Sequence, residues 1–120
     1  MDFKNIDLTY LRTMATDDPS LQQQLLEMLL EDLATQLPLL EKAINSSDWP
    51  TVKQLAHHLK TTFPYTGNML VLEHIKKMEQ EALSKKVRAQ NIKQLFGVIT
   101  LHLPLIQQEL NQALQAIKKR

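Results

Sequence analysis

The stretch Leu55-Ala56-His57-His58-Leu59-Lys60-Thr61-Thr62-Phe63-Pro64-Tyr65-Thr66-Gly67 holds the residues best suited to chemistry in this chain. On a helix at about 100° per residue, Val52, Leu55, Ala56, Leu59 and Phe63 share one arc and form a core stripe. His57 then points roughly 150° from the centre of that arc, out to solvent, whereas His58 sits about 110° off it, at the boundary with a neighbouring helix. Lys53, Lys60, Thr61 and Pro64 fall above and below His57 on its own face, and Gln54 lies within one turn of it. Free imidazole titrates near ~6.5, so an exposed histidine offers a nucleophilic nitrogen at neutral pH. A lysine one turn away supplies a cation for the equatorial oxygens of a phosphoryl group, whose transfer depends mainly on positioning and charge compensation. A nucleophile and a cation with no general-base triad can hold and hand over a phosphoryl group. They are not equipped to catalyse the transfer alone.

The elements that must position these residues read as helices. Gly67 and Gly97 are the only glycines, and Leu, Gln, Lys, Glu and Ala dominate. That composition favours helix and gives strands little support. A short first helix is expected over about Asp7–Ala15, capped by Asp7. Asp18 as N-cap and Pro19 as first residue open a second, to about Asn45, whose stripe is Leu21, Leu25, Met28, Leu29, Leu33, Leu37, Leu40 and Ile44. Pro38 bends it without changing the phase of the stripe. Asp48 caps a third helix, Trp49–Tyr65. A fourth runs from about Asn68 to Leu83 or Ser84, with Leu72, Ile75, Met78, Glu79 and Ala82 along one side. The fifth, about Gln90–Lys118, is bent at Pro104 and carries Leu95, Val98, Ile99, His102, Ile106, Leu110, Ala113, Leu114 and Ile117. The expected fold is all-α: an antiparallel up-down four-helix bundle with a short N-terminal capping helix, in one domain over residues 1–120.

Composition narrows the functional classes. Fourteen basic and 13 acidic residues give a net charge of +1, no broad reason to bind nucleic acid or an anionic membrane. There is no cysteine, and no apolar run approaches the ~20 residues of a membrane span. The start, Met1-Asp2-Phe3-Lys4, lacks the order of a secretory signal, so a cytoplasmic location is expected. No His or Cys at i+4 completes a helical metal pair with His57 or His58, so no metal site and no cofactor are expected. The chain lacks clustered carboxylates, a nucleophile paired to a base and a glycine-rich phosphate loop, which argues against an enzyme. One chain has apolar stripe enough to close a bundle as a monomer.

The segment Ala56-His57-His58-Leu59-Lys60 resembles the A-H-x-L-K core of histidine-containing phosphotransfer (HPt) domains. Gly67, ten positions after His57, stands where that pattern has its second glycine, and Lys76-Lys77-Met78-Glu79 resembles the family's apolar-Glu segment. Helix order and length match over nearly the whole chain, and specific matching covers about residues 52–83. The resemblance implies that His57 is the phosphoacceptor through its outer ring nitrogen, Lys60 the residue that stabilises the phosphoryl group, and Gly67 the turn glycine. It implies a phosphorelay intermediate whose partner is the receiver domain of a response regulator or hybrid histidine kinase, with Mg²⁺ and catalysis on the partner's side. Thr61 departs from the pattern, which has glycine after the lysine. Its hydroxyl is either a spectator or a donor to a phosphoryl oxygen, and its bulk lends weight to an alternative: a helical adaptor that binds a receiver or kinase without phosphotransfer. Lys53 reads as a solvated charge or a direct contact, Gln54 as plain surface or a partner of His57. His58 reads as a boundary histidine hydrogen-bonded to a neighbouring helix, His74 and His102 as ordinary helix-face residues, and Met14, Met28, Met69 and Met78 as core filler.

Overall fold

The computed structural model describes residues 3–119, and all regular structure among them is helical. Helix α1 spans Thr9–Met14, α2 Pro19–Asn45, α3 Trp49–Thr62, α4 Met69–Ala82 and α5 Ala89–Lys118, and a 3-10 turn, Phe63–Thr66, extends α3. No helix among the described residues is long and apolar enough to cross a membrane.

Three of the helix starts, those of α2, α3 and α4, are set by side chains that take up orphan backbone N–H groups. Asp18, Asp48 and Asn68 accept from the N–H groups of Ser20, Thr51 and Val71, and Pro19 and Pro50 occupy the first turns, where no N–H is needed. Asp7 works one position outside its expected place. The N-cap of α1 is Leu8, while Asp7 Oδ1 accepts from the Thr9 N–H at 3.0 Å and from the Thr9 hydroxyl at 2.7 Å. Helix α3 ends at Thr62 rather than Tyr65, because Pro64 has no N–H to continue the ladder and the chain tightens into 3-10 form. Helices α2 and α5 continue through Pro38 and Pro104.

Helix α3 packs on α2 and α4, and α5 packs on the same two. Their apolar stripes meet in one core built on Leu26, Leu33, Val52, Leu59, Phe63, Ile75, Met78, Ile92 and Ile106. Two details of the expected stripes are corrected. In α2 the deeply buried leucine is Leu26, with Leu25 only half-buried and Gln22 buried beside it, so the stripe is rotated by part of a turn at its N-terminal end. Met14, Met28 and Met69 are about half exposed, and only Met78 fills the core. A helix packed on two neighbours has a wide buried arc, and a methionine at its margin reaches solvent as easily as the interior.

Gly67 sits where two chain segments pass in close contact. It has φ +71° and closes the turn with its N–H on the Pro64 carbonyl. The chain before α1 crosses directly over it, with the Asp7 N–H on the Thr66 carbonyl at 2.8 Å. A Cβ on Gly67 would stand 2.1 Å from the Asp7 carbonyl oxygen. That neighbour is backbone and cannot swing aside. Gly67→Ala therefore combines left-handed strain with a backbone clash and is expected to cost at least ~2 kcal/mol in urea unfolding. A Gly97→Ala control meets nothing within 4 Å and should not destabilise.

Candidate functional site

The site forms where α3 and α4 face each other. His57 stands on the outer surface of α3 with 62% of its side chain exposed, as its place on the helix requires. Opposite it, on α4, Glu79 lies on the apolar stripe with 10% of its side chain exposed. A carboxylate drawn that far from water must be paired. Both partners come from α3: His57 Nδ1 lies 2.6 Å from Oε2, and Lys60 Nζ donates to Oε1 at 2.7 Å. Among the described residues no buried side-chain nitrogen or oxygen lacks a partner.

This bridge corrects the expected arrangement of Lys60. The lysine does not stand loose beside His57. It is half-buried and ion-paired across the helix interface to the same carboxylate that holds the imidazole. The Lys60 ammonium holds the Glu79 carboxyl below the ordinary glutamate range, opposed by partial burial and helped by His57. An ionised carboxylate accepts only, so Nδ1 must carry the proton in this contact. In the neutral ring, Nε2 is then the lone-pair nitrogen and it points outward.

The adjacent histidine is held the other way round. His58 Nε2 lies 2.7 Å from Asp32 Oδ1 on α2, and Thr62 donates its hydroxyl to Asp32 Oδ2 at 3.0 Å. So His58 makes the neighbouring-helix contact expected of it, and its outer nitrogen is occupied. Two histidines one residue apart thus diverge, His57 to α4 and His58 to α2, and only His57 presents Nε2. Thr61 donates its hydroxyl to the His58 carbonyl at 2.6 Å, so that hydroxyl is turned back onto the helix. Lys53 and Gln54 are exposed, and among the described residues neither has an ion pair or a side-chain hydrogen bond. Gly67 lies at the far end of the same segment, in the turn rather than at the imidazole.

Glu79 and Asp32 are the partners of the two histidines that residue types near His57 did not reveal. A signal existed for Glu79, because an acidic residue on an apolar stripe calls for a cationic partner. Asp32 is partly exposed and carried no such signal. No cluster of three metal-ligating side chains occurs among the described residues.

The arrangement supplies an anchored imidazole with a free outer nitrogen and a cation one turn along. The Hpt domain family model matches residues 24–119, from the second turn of α2 to the end of α5. The chain belongs to the Hpt domain family. No curated protein and no solved structure gives a match. Hpt domains are phosphocarriers of two-component phosphorelays and interact with receiver domains and histidine kinases. In this Hpt domain the Ala56–Lys60 segment lies inside the matched region, as do Gly67 and Glu79.

Two outcomes follow from the Glu79 bridge. In ¹⁵N NMR at alkaline pH, His57 is expected as the Nδ1–H tautomer, and Glu79→Ala should move the proton toward Nε2. A His57 tautomer unchanged in Glu79→Ala would mean that the contact does not orient the ring. The folded-state pKa of Glu79 is depressed, so its contribution to stability is present above the unfolded value of roughly 4.3 and is lost as pH falls through the lower folded value. Urea unfolding should therefore show a shallower acid-side loss of stability in Glu79→Gln than in the wild type, over that window.

Proposed function

We propose that this Hpt domain carries a phosphoryl group on Nε2 of His57, taking it from a receiver-domain aspartyl phosphate and passing it to another receiver. The observation that carries this reading is the hydrogen bond from Nδ1 to Glu79 on an imidazole otherwise open to solvent. It fixes the tautomer and leaves the outer nitrogen as nucleophile. In transfer, the Nε2 lone pair forms the P–N bond as the P–O bond to the aspartate breaks, and the carboxylate leaves with the bonding pair. The reverse step returns the group. Receiver-bound Mg²⁺ and the receiver's acidic site would supply the remaining charge compensation, and this chain needs no cofactor of its own.

Lys60 is the phosphate-stabilising residue in this reading. Its ammonium sits one turn from the imidazole, and rotation of its long side chain brings it from Glu79 toward phosphoryl oxygens on Nε2. Lys53 adds positive potential from the preceding turn. The packing order supports an antiparallel up-down four-helix bundle with α1 across one end, which sets α3 with one face outward. Seven residues after His57, in the 3-10 turn that extends α3, Pro64 borders a shallow apolar hollow of about 530 Å³ with Tyr10, Met69 and Leu72. Tyr10 stacks at a tilt on Tyr65, with ring centroids 5.3 Å apart. A receiver seated over His57 would find apolar footing there.

The test is incubation with a phosphorylated receiver. Wild type should acquire acid-labile, base-stable label, and His57→Gln should acquire none. Label that survives in His57→Gln and disappears in His58→Gln would sink the assignment, and no label from any of several receivers would favour the adaptor reading. Lys60→Ala should fold and slow transfer by about tenfold, the effect of losing one charge-assisted contact. An unchanged rate would remove Lys60 from the site.

A further inference from the structure

Net charge conceals a strong asymmetry. Of the 14 basic residues, 11 lie from Lys53 onward, against four of the 13 acidic ones. Several of the later basic residues gather at one end of the α4–α5 side: Lys85, Lys86 and Arg88 in the connection and Lys93 at the start of the second turn of α5, all exposed. On the flank of α4 away from Glu79, a groove of about 390 Å³ runs between α4 and α5. Leu70, His74, Lys77 and Glu81 recur at i, i+4, i+7 and i+11 and so form one stripe along α4. Only Glu81 is acidic on that stripe, and its charge is engaged: Asn91 Nδ2 donates to Oε1 at 2.8 Å and the Arg88 N–H reaches Oε2 at 3.5 Å. His74 Nδ1 donates to the Leu70 carbonyl at 2.8 Å, which leaves Nε2 with its lone pair or, when protonated, as a second donor. Lys77 is exposed and has no ion pair among the described residues.

The other end of the same flank is apolar. Val98 lines the groove, and Leu101 and Leu105 fall within about 60° of it on the α5 wheel. Leu101 is 72% exposed, and Leu70 and Leu105 are about half exposed. An apolar ridge continued by a cationic stretch over roughly 16 Å, the rise of α4 from Leu70 to Glu81, matches about three turns of an amphipathic helix.

We propose that the α4–α5 groove is a docking site for an amphipathic helix of a partner protein, with apolar side chains on Leu70, Val98 and Leu101 and carboxylates on Lys77 and the basic connection. The charge complementarity selects an acidic helix, and the exposed leucines supply the apolar contact that an electrostatic encounter alone lacks. The groove and the imidazole lie on opposite flanks of α4, so this helix can be held while His57 stays accessible. The proposal does not depend on phosphotransfer.

The probe is a synthetic helical peptide of about 14 residues, long enough for three to four turns. It carries leucines on one half of its stripe and glutamates on the other, and a control carries lysines for the glutamates. With the ¹⁵N-labelled full chain, the acidic peptide should shift resonances over 70–81 and 91–105 and leave His57 unmoved. Binding should weaken at least tenfold in Lys77→Glu and in Leu101→Ser, both surface changes whose folding the dispersion of the same spectra checks. Equal binding of the lysine peptide, shifts centred on His57, or no binding of either peptide would each overturn the proposal. So would phosphatidylserine vesicles that bind with the same Lys77 dependence while the peptide does not. None of these readouts uses a phosphoryl donor, so failure here and failure of the His57 reading are separate results.

Discussion

One carboxylate governs the geometry of this domain. Glu79 is nearly enclosed, and its two oxygens are taken by two side chains of the facing helix, His57 and Lys60. Withdrawal of a carboxylate from water is unfavourable unless each oxygen finds a donor, and here the donors lie three residues apart on one helix face. The contact therefore fixes three things together: the rotation of α3 against α4, the tautomer of the imidazole and the resting position of the cation. If charge arrives at Nε2 and Lys60 turns to it, Glu79 keeps the His57 contact and loses the other. In the proposed function the cation is thus shared between a resident and a visiting anion, and the bridge sets how strongly the ammonium is drawn to the visitor.

Asp32 holds α3 from the opposite side. Through His58 and Thr62 it joins α2 to α3 much as Glu79 joins α4 to α3. The two grips differ in one atom, with large consequence. Glu79 holds the inner nitrogen of its histidine, and Asp32 holds the outer nitrogen of the other. Adjacent, chemically identical side chains are thereby divided into one ring with an open outer nitrogen and one structural strut. The positions on α3 set the directions in which the two rings point, but the nitrogen that each acid engages decides their chemistry.

Much of this was legible in the sequence because helical periodicity is a local signal. The five helices, the caps at Asp18 and Asp48, the exposure of His57 and the boundary position of His58 all follow from spacing within a few turns. What spacing could not provide was contact between helices. Lys60 lies on the same side of α3 as His57, which suggested a loose cation, and only the approach of α4 shows that it is tied down. The burial of Leu26 in place of Leu25 has a similar origin, since the centre of a buried arc depends on where two neighbouring helices press. Met14, Met28 and Met69 were misread because hydrophobicity assigns a residue to the apolar side without separating its middle from its edge. Pro64 was placed only on the His57 face, and the 3-10 turn it induces brings the chain into Gly67, where the segment before α1 crosses.

Thr61 shows how local bonding changes what a substituted position offers a partner. Its hydroxyl is bonded to the His58 carbonyl, so the part left for an approaching surface is chiefly the methyl group. A donor at that position would have added affinity for phosphoryl oxygens, whereas a methyl adds shape. In the proposed docking, a methyl beside the imidazole would raise the helix surface by about one carbon and exclude partners that require the backbone itself to be reached. Further along the same face, Pro64 and the hollow beside Tyr10 and Met69 continue the apolar character. In the proposed docking over His57, selectivity then arises from a contour on one side of the imidazole, while charge is concentrated at Lys60 and Lys53. In that docking a partner would be sorted by fit before the phosphoryl group meets the cation.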